Sequence, residues 1–225
     1  MGKNDQRTSA TVEPVSEGQS DLLVLATKNY PGGKDKLELA KGHPDFRKDI
    51  WATLDRLAAD QALRLPLMQR PAWKSVELGT QPNADGYRSA LKDKGFKIGD
   101  WANDIMGKPA FTVSDQPISV DLVLVTVAEL GFPKGATRAK IYERALELGF
   151  QLCPPEVGPA LRLQYPDQPN GEWLLIGMEP IADSDGDLHV FNVGRDDDYL
   201  WLYSHYDNPY YFWPGSCQWL FVRGK

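Results

Sequence analysis

Past Pro154-Pro155 the sequence pattern of this chain changes to a period of two, one that a buried helix face cannot satisfy but one face of a strand can. Trp173–Ile176, Leu188–Val193, Tyr199–Tyr203 and Trp219–Val222 read as strands. Turn-forming runs separate them, among them Asp183-Ser184-Asp185-Gly186-Asp187 and Gly194-Arg195-Asp196-Asp197-Asp198. Consecutive strands joined in this way predict an aromatic-rich antiparallel β-meander.

The first half obeys a different period. Residues 1–19 carry almost no apolar pattern and read as a flexible lead-in; Leu22, Leu23, Leu25 and Ala26 then form a short helical face that Pro31-Gly32-Gly33 stops. Phe46, Ile50, Leu54, Leu57 and Leu63 predict a helix over Pro44–Leu63 with one face on the core, followed by an extended connector through Leu65-Pro66 and Arg70-Pro71. Val76 and Leu78 suit a short strand. Asn83 can cap a helix that ends at Gly95, and Gly99–Met106 can turn Trp101, Ala102 and Ile105 inward. Val120–Val127 is rich in β-branched residues and reads as a strand, and Thr137 can cap a helix over Arg138–Leu148 that Gly149 stops. The fold class expected is α+β, an N-terminal mostly helical part followed by the C-terminal antiparallel meander. The organisation expected is a lead-in over 1–19, a helical region over 20–115 and an α+β region over 116–225, or one continuous domain over 20–225.

A chain of 225 residues with 42% hydrophobic and 25% charged residues can bury a core without staples. Its longest apolar stretch, near Val120–Leu130, is broken by Asp121, Thr126 and Glu129, so no membrane span is expected. The first residues lack the basic-apolar-small order of a secretory leader. Only Cys153 and Cys217 occur, which fits free thiols in a reducing compartment, and a cytoplasmic location is the expectation.

Candidate chemistry is sparse. Asp183–Asp187 offers oxygen ligands, but an EF-hand loop needs Gly sixth and Glu twelfth, whereas Gly186 is fourth and the twelfth position is Gly194; a hairpin turn is the simpler reading. Asp196, Asp197 and Asp198 read as solvated surface. Cys153 or Cys217 beside His189 or His205 would make an activated thiol, yet no local signature supports the pairing, and His189 is expected as a half-exposed strand residue. No metal and no cofactor are expected. Tyr87–Phe111 resembles phage-type helix-turn-helix regulators in its helix, Gly95 turn and small-residue second helix, but lacks a reading helix.

The most unusual feature is the aromatic run that includes Trp201, Tyr203, Tyr206, Tyr210, Tyr211 and Trp213, the candidate binding residues, with Tyr206, Tyr210 and Tyr211 expected to be exposed. It lies in the acidic part of the chain: residues 151–225 hold 4 Lys and Arg against 11 Asp and Glu, while residues 1–150 hold 21 against 20. That sign repels phosphate backbones and attracts a basic protein. Gly149-Phe150-Gln151-Leu152-Cys153-Pro154-Pro155-Glu156, with Asn170-Gly171-Glu172-Trp173 opening a sheet, resembles SUKH-type immunity proteins, and the resemblance implies an acidic α+β module that caps a partner toxin. The leading expectation is a non-enzymatic protein-binding role on the acidic aromatic surface. A helix-turn-helix DNA-binding role and a small hydrolase using Asp185, His189 or Cys217 are the alternatives.

Overall fold

The structure, a computed structural model, describes residues 43–224. The expected lead-in and the short helix at Leu22–Ala26 lie outside the described residues. In chain order the elements are α1 (Phe46–Met68), β1 (Lys74–Leu78), α2 (Ala84–Asp93), β2 (Lys97–Ile98), α3 (Asp100–Ile105), β3 (Ile118–Thr126), β4 (Ala136–Thr137) and α4 (Arg138–Glu147). They continue with α5 (Val157–Gln164), β5 (Trp173–Ile176), β6 (Ile181–Ala182), β7 (Leu188–Arg195), β8 (Leu200–Tyr206), β9 (Phe212–Trp213) and β10 (Gln218–Val222). A division of the chain falls between Ala59 and Asp60, inside α1, and every strand lies in the larger unit, Asp60–Lys225.

The fold is α+β, and its main sheet is mixed. Its strand order is β1-β3-β10-β5-β7-β8-β2, with β6 added on β7, and β4 pairs separately with β9. The C-terminal strands are therefore not a simple meander. β5, β7 and β8 run antiparallel in sequence order, but β10 returns between β3 and β5, antiparallel to the first and parallel to the second. β1, the short strand expected at Val76 and Leu78, and β2, which was not expected, both join this sheet from the mostly helical region. Periodicity alone could not place β10, because it reports which side chains share a face and not which strand lies next door.

Alternation along the strands gives the sheet two apolar faces. On one, Phe191, Val193, Leu202, Leu220 and Leu122 pack beneath α2, α3 and α5. On the other, Trp219 and Phe221 lie beneath α4, where Tyr142 meets them edge-on at 5.6 and 6.0 Å. β7 is buried from His189 to Gly194 because both faces are covered there.

Three expectations about helices need correction. α1 continues through Pro66 to Met68 instead of giving way to a connector. Leu54 and Leu57 are exposed, and Leu63 and Leu67 reach the core; a buried Leu67 keeps the last turn helical although Pro66 donates no hydrogen bond. Thr137 makes no side-chain cap, whereas the Asn83 side chain does cap α2, accepting the Gly86 N–H at 2.9 Å.

One buried carboxylate fastens α5 to the segments around it. Glu156, 1% exposed, accepts the Gly79 N–H at 2.6 Å, the Ser114 N–H at 2.8 Å and the Tyr87 hydroxyl at 2.5 Å. Burial, aided by this carboxylate, raises the pKa of the Tyr87 hydroxyl, which stays a donor. Truncation would leave three donors without a partner in a site that cannot hold bulk water. Glu156→Ala should therefore lower the unfolding free energy by about 3 kcal/mol. A urea titration of the variant beside the parent checks it.

Candidate functional site

Strand register decides which aromatic side chains meet. Gly194 of β7 stands opposite Trp201 of β8 and opposite Trp173 of β5, and Asn192 stands opposite Tyr203 and Leu175. Cross-strand partners share a face, so Trp173, Trp201 and Tyr203 gather on the face that also carries Trp219. Gly194 offers no side chain to prop them apart, and Trp173 leans over it; a Cβ there would stand 2.2 Å from the indole. On the far flank of β8, Gly99 would place a Cβ 2.6 Å from the ring of Tyr203. Two glycines thus let bulky rings lie against backbone.

The resulting platform is well ordered by its own contacts. Trp201 and Tyr203 stack with centroids 4.5 Å apart and planes at 12°, Trp173 approaches Tyr203 at 5.4 Å, and Tyr199 meets Trp201 edge-on at 6.2 Å. Trp173 is 43% exposed and Tyr199 46%, while Trp201 and Tyr203 are half-buried. Asp196 sets the indole of Trp201, accepting its Nε1–H at 2.8 Å while its other oxygen takes the Tyr199 and Asp198 N–H groups. These hydrogen bonds, the Tyr199 N–H foremost, hold the Asp196 carboxyl below its usual pKa. Of the three acids expected at the surface, Asp197 and Asp198 are exposed, and Asp196 instead works within the turn.

Two polar groups complete the surroundings. Asn192 lies between Leu175 and Tyr203 with 6% exposure, and its Oδ1 has no hydrogen-bond partner among the described residues. Behind β7, the wholly buried Arg162 donates to Gln168 Oε1, to the Tyr165 carbonyl and, at 3.3 Å, to the Gly194 carbonyl. Burial lowers its pKa to about 10, still charged near neutrality. That guanidinium ties α5 to the backbone on which Trp173 rests.

The expected binding residues separate into groups. Trp201 and Tyr203 belong to the platform. Tyr206, 41% exposed, projects to the opposite face, as alternation along β8 requires, and meets His189 at 6.1 Å. Tyr210 is 85% exposed, and Tyr211 packs against His205 and Trp213 at 5.4 and 4.9 Å. Trp213 is buried, 3% exposed, so it supports the surface and cannot itself contact a partner. Trp173, Tyr199 and Asn192 were not singled out from sequence, because only the pairing of β5, β7 and β8 brings them to Trp201 and Tyr203.

Trp213 rests on an uneven charge pair. Asp207, with no exposed surface, accepts the Trp213 Nε1–H at 3.3 Å, and its Oδ2 stands 3.1 Å from Arg138 Nε without the alignment of a hydrogen bond. Burial outweighs the arginine and pushes the Asp207 carboxyl up to about 6.

An activated thiol, a role for Asp185 and a helix-turn-helix find little support in the geometry. The Cys153 thiol is buried and donates to the Leu220 carbonyl at 3.5 Å, and burial raises the pKa of both Cys153 and Cys217. Neither thiol pairs with a histidine among the described residues. His189 is buried, not half-exposed, and bonds to Asp183 and Ser204; Asp185 is exposed. Asp183 organises the expected hairpin turn, taking the Asp185 and Asp187 N–H groups. Between α2 and α3 the chain forms β2, paired with β8, and residues 107–117 hold no helix, so no reading helix follows. The cavity of about 480 Å³ beside α2 is lined by Arg88, whose guanidinium is already taken up by Asp85 and Asn103. No helix of the described residues is long and apolar enough to cross a membrane.

No family model, no curated protein and no solved structure matches this chain. The resemblance to SUKH-type immunity proteins rests on residues 149–156 and 170–173 alone, the loop before α5 and the turn into β5.

Two outcomes test this geometry. Gly194→Ala should displace Trp173 and cost about 1–3 kcal/mol through overpacking, seen as a changed near-ultraviolet circular dichroism spectrum and a lower urea midpoint. Asp207 titrates near 6 folded and near 4 unfolded, so the folded state binds the extra proton between those values. Its contribution to stability is therefore largest below about pH 4 and declines as pH rises to about 6. Asp207→Asn should remove that decline from a stability–pH profile measured against the parent.

Proposed function

We propose that this chain is a protein-binding module that receives an arginine-bearing segment of a basic partner on the platform of Trp173, Trp201 and Tyr203. The observation that carries the reading is the platform itself: stacked rings, laid on Gly194 and Gly99, with Trp173 left substantially open. Large apolar rings left at a surface lower their free energy when a partner covers them. A guanidinium suits this face, because its plane stacks on indole and phenol rings while its edge donates hydrogen bonds. The exposed carboxylates of Asp197 and Asp198 lie on the turn that leads into β8. The excess of 11 acidic over 4 basic residues in 151–225 steers a cation toward the same region.

The observations favour this reading over nucleic-acid binding. Of the lysines on the helix-turn-helix stretch, Lys94 donates to the Leu163 carbonyl at 3.2 Å and Lys97 sits 4.6 Å over the ring of Tyr199. Both are occupied within the fold.

Titration of the full chain with an arginine-rich peptide, followed by tryptophan fluorescence, tests the proposal. Binding should weaken as salt rises, and Tyr203→Ala or Trp173→Ala should weaken it about tenfold or more. A lysine-rich peptide of equal charge should bind less well than the arginine peptide. Equal binding of the two peptides, or binding unchanged in both variants, would overturn it.

A further inference from the structure

We infer that Ser204, His189 and Asp183 form a second site, on the opposite face of the sheet from the platform, arranged for acyl transfer from small uncharged carboxylic esters. His189 Nε2 lies 2.9 Å from Asp183 Oδ2, and His189 Nδ1 lies 3.3 Å from Ser204 Oγ. The chain of contacts is a hydroxyl, an imidazole and a carboxylate in series.

The protonation pattern follows from the partners. The other oxygen of Asp183 takes the N–H groups of Asp185 and Asp187 at 2.8 and 2.9 Å, and these bonds with His189 keep its carboxyl below the usual range against the burial that opposes them. An ionised carboxylate only accepts, so neutral His189 carries its proton on Nε2. Its Nδ1 lone pair then faces Ser204, and the hydroxyl must be the donor. That leaves the Ser204 oxygen with its lone pairs free and a base already on its proton, the logic of a serine nucleophile with the two ring nitrogens exchanged.

The surroundings fit a small substrate. Trp101 lies over His189 with centroids 5.8 Å apart and planes at 24°, although it remains 47% exposed and does not turn inward as its spacing predicts. Tyr206 borders the ring edge-on. Trp101, Ser204, Gly99, the exposed Asp100 and, from the platform side of β8, Tyr203 line a cavity of about 240 Å³ at the strand's edge where β2 has ended. The Leu202 carbonyl accepts the Gly99 N–H at 2.9 Å on that edge, and backbone groups two residues apart point the same way in a strand. The Ser204 N–H is thus turned toward the cavity side, where it can donate to an oxygen that gains negative charge. Asp100 at the rim disfavours an anionic acyl group.

The chemistry closes on these groups and water. Ser204 Oγ attacks the ester carbonyl carbon as its proton passes to His189 Nδ1. The tetrahedral oxyanion collapses, the carbon–alkoxy bond breaks, and the leaving alkoxide takes the proton from Nδ1. Water then attacks the acyl-serine with His189 again as base, releasing the carboxylic acid and restoring Ser204.

A fluorophosphonate probe tests the array on the full chain, since displacement of its fluoride by Ser204 requires the same activated oxygen. Peptide mapping by mass spectrometry should find one adduct, on Ser204, absent from Ser204→Ala and slowed by about a hundredfold or more in His189→Gln. The role of Asp183 in positioning His189 is read separately, from long-range proton–nitrogen spectra: the parent should show His189 protonated at Nε2, and Asp183→Asn should lose that preference. Absence of an adduct on Ser204 in parent protein that melts cooperatively, or protonation of His189 at Nδ1, would overturn the inference. Because the probe reads Ser204 and the peptide titration reads Tyr203 and Trp173, failure of either reading leaves the other standing.

Discussion

The pairing of β10 between β3 and β5 is the constraint on which the rest of this structure depends. It draws the last strand of the chain into the middle of the sheet and bonds it to segments far away in sequence on both sides. Trp219 and Phe221 then fill one face and Leu220 the other, all with no exposed surface. Without that insertion β1 and β3 would form a separate ribbon, and two-stranded ribbons are marginal in water. With it, α4 can cover one face while α2, α3 and α5 cover the other.

Coverage on the Trp219 face is incomplete, and the two glycines explain what is left open. α4 closes over β10 through Tyr142, but Trp173, Trp201 and Tyr203 sit beyond that contact, toward β7 and β8. Their rings lie down because Gly194 and Gly99 remove the side chains that would have stood between them. Beneath that surface lie a buried guanidinium with no carboxylate in contact and an amide oxygen with no donor among the described residues, Arg162 and Asn192. Buried polar groups are costly to leave unmatched, and these two lie behind and within the open aromatic face.

Much of the local structure was legible. The switch from helical to strand periodicity, the Asn83 cap and the Asp183–Asp187 hairpin all follow from short-range rules. The misreadings share a cause. Pro66 was given weight as a helix breaker, but burial of Leu67 outweighed it; Trp101 was placed inward by spacing, but lies on the surface over His189; His189 was left half-exposed because nothing local announced Asp183 and Ser204 as partners. Each depends on residues brought together by the fold.

The sequence by itself determined an α+β chain, the approximate positions of several of its helices and longer strands, and the acidity and aromatic richness of its last third, because these rest on side-chain period, turn chemistry and charge count. Tertiary structure alone decided that the sheet is mixed, that Trp213 is interior, that Trp173 joins Trp201 and Tyr203, and that Ser204, His189 and Asp183 are in contact. The physical reason is register: a strand's pattern specifies the face its side chains take, whereas its neighbours, and hence every cross-strand site, are settled only when backbone hydrogen bonds between distant segments form.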